Sequence, residues 1–227
     1  REIKKFTKQK GRLFSAIVRP ALWLFVFAAG IGSTRGIDPG ILNFYPIQNI
    51  NYFEYITPGL LGMVLLFSGM QSSLSMVYDR EMGSMKTMLV SPIPRWFLLC
   101  SKLFAGVFVS ILQVYAFLLI ASFWDIIPPV SGYFTILPAL IISGLMLGAL
   151  GMFLSSAIKQ LENFAGVMNF VIFPMFFASS ALYPLWKIEE TSEWLYLVCF
   201  YNPFTYAVES IRFSLYSQIN FEYSAGI

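Results

Sequence analysis

Five stretches of this chain, residues 20–34, 55–78, 96–123, 133–158 and 163–182, carry a single charged residue between them, Lys102. A helix needs roughly 20 apolar residues to cross the ~30 Å hydrocarbon core of a bilayer. All but the first stretch reach that length, and Pro20 suits the start of a short first helix. With 57% apolar and 12% charged residues and a mean hydropathy of +0.69, the chain departs from soluble domains, which are about 45–50% apolar and 25% charged. It reads as an all-α, polytopic integral membrane protein with five spans, a single transmembrane domain over residues 1–227. A soluble enzyme, a disordered chain and a disulfide-stapled secreted domain are disfavoured. The sequence has no histidine, which removes His-based acid–base catalysis, haem ligation and most zinc sites.

Residues 1–19 hold Arg1, Lys4, Lys5, Lys8, Lys10, Arg12 and Arg19 against one acid, Glu2. On a helical wheel Ile3, Phe6, Leu13, Phe14 and Ile17 share one side, with Lys4, Lys5, Lys8 and Arg12 opposite. This pattern predicts an amphipathic helix lying on an anionic lipid surface. A targeting peptide is the alternative, although no A-x-A-like cleavage site follows. Residues 35–54 read as a polar connection. Residues 183–217 read as an outer re-entrant region, aromatic and acidic (Trp186, Glu189, Glu190, Glu193, Trp194), whose apolar run 194–201 is too short to span. Residues 204–217 read as a further helix carrying Glu209 and Arg212.

With the N-terminus inside, inner segments hold 12 of the 15 Lys and Arg residues. Arg35 and Lys187 are outside, and Arg212 is unassigned. The bias predicts a cytoplasmic N-terminus in the cell inner (plasma) membrane. Cys100 then lies near the inner face and Cys199 near the outer one, too far apart for a disulfide.

The inner loop 79–95 is the most informative segment. Met82, Met85 and Leu89 recur at helical spacing, with Arg80, Glu81, Ser84 and Thr87 mostly turned away, and Pro92 and Pro94 stop the helix. A Met-rich face adapts to a partner that changes shape; an ordinary interfacial loop helix is the other reading of the same residues.

The runs Tyr55-Ile56-Thr57-Pro58-Gly59, Asp79-Arg80-Glu81-Met82-Gly83 and Leu89-Val90-Ser91-Pro92-Ile93-Pro94-Arg95 resemble the membrane subunit of a type-2 ABC transporter. So do Ala181-Leu182-Tyr183-Pro184-Leu185 and Asn202-Pro203-Phe204-Thr205-Tyr206-Ala207-Val208-Glu209, with Arg212. The resemblance covers nearly the whole chain. It implies six spans, the sixth beyond residue 227, with an N-terminal interfacial helix and small outer helices. It also implies a homodimer in which each copy binds a separate ABC ATPase subunit bearing a Walker A motif. By resemblance the coupling helix maps to residues 80–90. The ATPase-coupling residues are then Arg80, Glu81, Met82, Gly83, Met85, Lys86 and Leu89, with Glu81 the foremost polar contact and Gly83 allowing close backbone approach.

The chain has no G-x-x-x-x-G-K-[ST] phosphate loop. ATP and Mg are therefore expected on the partner ATPase, with no cofactor in this chain and no nucleic acid as partner. Mild polar residues in the spans, Gln71, Ser75, Gln113 and Asn169, are candidates for a transport path, although such residues also bond helix to helix. Gly144, Gly148 and Gly151 have the spacing of close helix packing, within the protomer or at a dimer seam. The expected function is export of a hydrophobic, lipid-linked or drug-like substrate. An ion-coupled secondary transporter and a non-transporting scaffold are the alternatives; the first normally carries ionisable residues at mid-membrane. Neutralising Lys4, Lys5 and Lys8 together is expected to weaken contact with anionic lipid by about 1 kcal/mol per charge, measured as labelling depth in vesicles.

Overall fold

The structure, a computed structural model, describes Val18, Leu22, Val90 and residues 52–85, 94–124, 127–158 and 160–216. Apart from Val18 and Leu22, the expected interfacial helix and first span lie outside the described residues. Among the described residues the chain is all-helical, with seven α-helices: α1 (Tyr52–Glu81), α2 (Arg95–Ala121), α3 (Val130–Ala157), α4 (Leu161–Phe177), α5 (Leu185–Thr191), α6 (Glu193–Tyr201) and α7 (Pro203–Leu215). A 3-10 turn, Ser122–Trp124, follows α2. Among the described residues three helices are long and apolar enough to cross a membrane: α1 from Tyr55, α2 and α3.

The stretch 163–182 is shorter than its apolar length suggests. It forms α4, of 17 residues, and stops at Phe177. At about 1.5 Å per residue that is roughly 26 Å. The cause is in the next segment: the Asn202 side-chain amide donates to Met175 O (2.8 Å) and Ala178 O (2.6 Å), taking carbonyls at the end of α4. Residues 178–183 then turn instead of continuing the helix.

Helix α1 is the centre of the bundle. It packs against α2, α3, α4 and α7, and every residue from Tyr55 to Leu66 is buried. A helix that is apolar on all sides can be buried on all sides. Contacts along its length give the directions of its neighbours. Ser72 meets Gly106 and Asp79 meets Lys102, so α2 is antiparallel. Gly69 meets Gly148 and Arg80 meets Ser155, so α3 is parallel. The Phe67 and Phe173 rings meet edge to face at 6.4 Å, and Glu81 meets Leu161, so α4 is antiparallel.

Helix α7 begins well inside the bundle. Phe204 and Val208 pack on Gly62, and Arg212 reaches Tyr55 at the start of α1. The α6–α7 hairpin thus has its apex, Asn202-Pro203, beside the buried half of α1. Asn202 Oδ1 accepts the Phe204 N–H (3.0 Å) and caps α7, while Pro203 occupies the first turn, where its missing N–H costs nothing. Near the other end of α7 a buried ion pair joins Glu209 and Arg212. The Arg212 guanidinium also donates to Ser180 O (2.9 Å) and lies 4.1 Å from the centre of the Tyr55 ring. Three devices, charge, hydrogen bond and cation–π contact, hold one buried cation.

Small residues set the spacing of α1, α2 and α3. A Cβ on Gly69 would lie 3.2 Å from the Gly148 backbone, and one on Gly151 would lie 2.7 Å from Ser73 Oγ and 3.2 Å from Gly69 O. Gly144 likewise faces Val107 of α2. The glycine row on α3 therefore serves packing within the protomer. Gly69→Val is expected to cost about 1–3 kcal/mol, because a backbone cannot yield as a side chain can. Gly166→Ala, with nothing within 4 Å, should be neutral or stabilising by up to about 1 kcal/mol. Thermal unfolding in detergent compares the two.

Candidate coupling site at the Asp79 end of the bundle

The sequence places residues 80–90 in one loop helix; the structure divides them. Helix α1 runs on through Asp79, Arg80 and Glu81, and stops there. Gly83 has φ +73°, a left-handed conformation that glycine adopts without the Cβ penalty. Its N–H bonds to Arg80 O (3.2 Å) and the Met82 N–H to Tyr78 O (3.0 Å), closing the helix C-terminus. No atom lies within 4 Å of a Cβ built on Gly83. Its observed role is thus the turn. Ser84 and Met85 follow in a further helical turn. Lys86 and Leu89 lie outside the described residues.

The three residues that end α1 each engage a different helix. Asp79 is buried, and its carboxylate takes Lys102 Nζ of α2 at 2.5 Å. Ser84 Oγ donates to the same carboxylate and to Asp79 O, both at 3.1 Å, tying the loop back on α1. Arg80 donates through one Nη to Ser155 O (3.3 Å), Ser156 O (3.5 Å) and Ile158 O (3.3 Å). These are carbonyls at the C-terminus of α3, where a cation is favoured. Glu81 Oε2 accepts the Leu161 N–H (3.2 Å), the first amide of α4, where an anion is favoured.

Lys102 was legible as the lone charge in an uncharged stretch, but its partner was not. Asp79, Ser84 and Lys102 belong to this cluster although the sequence did not mark them for coupling. Of the apolar members, Met82 is 64% exposed and Met85 is half-buried. Exposed Trp96 and Phe97 open α2 at the same end.

The four path candidates lie on three helices, and no hydrogen bond joins any two. Ser75 Oγ bonds back to Ser72 O (2.7 Å) on α1, and Gln71 is half-buried on the same helix. Gln113 of α2 is buried, with no hydrogen-bond partner for its Oε1, and Asn169 is exposed on α4.

Lys102→Met is expected to destabilise the protein by about 3 kcal/mol, since it leaves the buried Asp79 carboxylate without its cation. The Asp79→Asn, Lys102→Met double variant should cost less than the two single changes added together. Unfolding midpoints of the three variants decide it.

The comparisons with known proteins bear on a chain of this architecture. The family model for ABC-2 type transporters matches residues 1–216. A protein of Cyanophora paradoxa described as a transport permease, ycf38, is 28% identical over 219 residues, 95% of this chain and 71% of the relative. The protein of the same description from Porphyra purpurea is 27% identical over 223 residues, 97% of this chain and 72% of the relative. A protein of Escherichia coli K12 described as a probable multidrug ABC transporter permease, YbhR, is 29% identical over 170 residues. That match covers 72% of this chain and 44% of YbhR, less than half of its length. No solved structure matches. With the family model reaching from the first residue to the end of the described helices, and three helices among the described residues long and apolar enough to cross a membrane, the chain belongs to the ABC-2 type transporter permease family, a membrane protein that works with an ABC ATPase.

Proposed function

We propose that this chain is the membrane-spanning subunit of an ATP-driven exporter of a hydrophobic, lipid-linked or drug-like substrate. It acts as a homodimer with one separate ATPase subunit, carrying the Walker A motif, ATP and Mg, on each copy. The Asp79 end faces the cytoplasm of the inner (plasma) membrane, the orientation supported by the Lys and Arg bias. The α6–α7 hairpin then enters the membrane from the outer face. Gln71, Ser75, Gln113 and Asn169 remain the candidate path, with Asn169 exposed and Gln113 buried inside the subunit.

The observation that carries the reading is the end of α1. The positive-φ turn at Gly83 ends α1, and Met82 there is 64% exposed beside three charges that are engaged within the protein. An exposed, adaptable apolar side chain there suits a cleft on a moving partner. ATP-driven closure of the two ATPase subunits would press on this loop and shift the helices as rigid bodies, opening the path. The family supports the ATPase partner; YbhR's description supports a drug-like substrate.

Affinity purification of the tagged chain from its source membranes tests the reading: an ABC ATPase is expected to come down with it. Met82→Asp and Met85→Asp should leave membrane insertion intact and weaken ATPase recovery, by about 2 kcal/mol or roughly thirtyfold in affinity. Equal recovery from wild type and both variants would remove the loop from the interface. Retention of no ATPase by the wild type would remove the function.

A further inference from the structure

Asp79, Arg80 and Glu81 are consecutive, and successive side chains on a helix point about 100° apart. The last turn of α1 can therefore address three neighbours at once, and it does: Lys102 of α2, the closing carbonyls of α3 and the opening amide of α4. Arg80 and Glu81 flank the turn between α3 and α4 from its two sides. Arg80 holds the carbonyls before the turn, through Ile158, and Glu81 holds the first amide of the helix after it. Opposite charges meet opposite ends of the helix dipoles. The 82–94 loop leaves α1 directly from Glu81, and Ser84 is bonded back to Asp79.

We propose that this triplet is the transmission node of the transporter. A load placed on the 82–94 loop passes through Arg80 and Glu81 to the α3–α4 turn, so that loop and turn move as one body. Arg80 and Glu81 are positioning residues here: they act on the ends of α3 and α4 and not on the ATPase surface. Asp79 with Lys102 fixes the same node to α2. The inference rests on the proposed function, which makes the loop the docking element. It adds the route that the motion takes within the subunit. A backbone-directed route also has a physical rationale. Carbonyls and amides at helix ends cannot rotate away as side chains do, so a displacement of α1 pulls on whole helices.

Hydrogen exchange of the co-purified complex, with and without ATP under hydrolysis-blocking conditions, tests it. In the wild type, ATP is expected to change the protection of residues 79–94 and 155–164 together. In the Arg80→Ala, Glu81→Ala variant the ATPase should remain bound and 82–94 should still respond. The response of 155–164 should fall at least about fivefold, the lower end of common coupling between sites. The Arg80→Lys, Glu81→Asp variant, which keeps a donor and an acceptor, should restore it. A purely stabilising pair would lower the unfolding midpoint and leave the ATP response of 155–164 unchanged; that result overturns the proposal. So does a wild-type response confined to 79–94, which decides the matter even where the alanine variant does not assemble. A wild-type chain that retains no ATPase overturns the proposed function, and this inference with it.

Discussion

The ends of a helix are its costly parts in lipid. Four amides at one end and four carbonyls at the other have no partner within the helix, and the hydrocarbon core offers no water to replace one. This protein answers with side chains at the Asp79 end of its bundle and again at the Asn202 apex inside it. Arg80 of α1 serves the carbonyls of α3, and Glu81 serves the first amide of α4. Asn202 serves two elements together, capping α7 through its oxygen and binding the carbonyls of Met175 and Ala178 through its nitrogen. Because Arg80, Glu81 and the Asn202 nitrogen each serve the end of a helix other than their own, satisfying the backbone also decides which helices are neighbours.

The middle of the bundle obeys a different rule. Between apolar helices in lipid the hydrophobic effect gives no preference for helix over lipid tail, so close van der Waals contact must hold them. The glycines of α3 and the glycine and serine residues of α1 and α2 allow that contact. The bulky apolar residues divide between two tasks. Leu60, Leu61, Leu65, Phe117, Phe176 and Phe204 are buried around α1, whereas Phe104, Phe108, Phe134, Phe153 and Phe170 stand on the outside. An outer surface of this kind is suited to lipid and is at odds with water.

These two arrangements give the permease its division of labour. In the core, α1 and α3 pack backbone to backbone and α2 packs on both through side chains against glycines, an arrangement suited to moving as a unit. The charged node at the Asp79 end ties that unit to the α3–α4 turn, and the Glu209–Arg212 pair with Tyr55 locks the α6–α7 hairpin to the far end of the same central helix. Buried charges placed this way add little net stability. They do hold elements in one register, since breaking one leaves its partner unsatisfied.

The sequence by itself determined the class of protein. Long stretches without charge can only be helices when the surroundings are lipid, and α1, α2 and α3 follow from that requirement to within a few residues. It determined that the loop after Glu81 is a place of interest, through its Met spacing and the prolines that close it. It showed Lys102 as the one charge in an apolar stretch, without its partner. The resemblance gave Arg80 and Glu81 a part in ATPase coupling, but the residue pattern did not tell what either bonds to within the chain. Their partners are backbone groups 75 to 80 residues away, and backbone groups leave no trace in residue identity. The early stop of α4 was hidden for the same reason, since the cause is an amide on Asn202 acting on carbonyls two dozen residues earlier. The glycine row on α3 announced close packing, and only the tertiary structure decided its partner. Spacing specifies that two backbones can approach, while the identity of the second depends on which helices the caps at either end have already made adjacent.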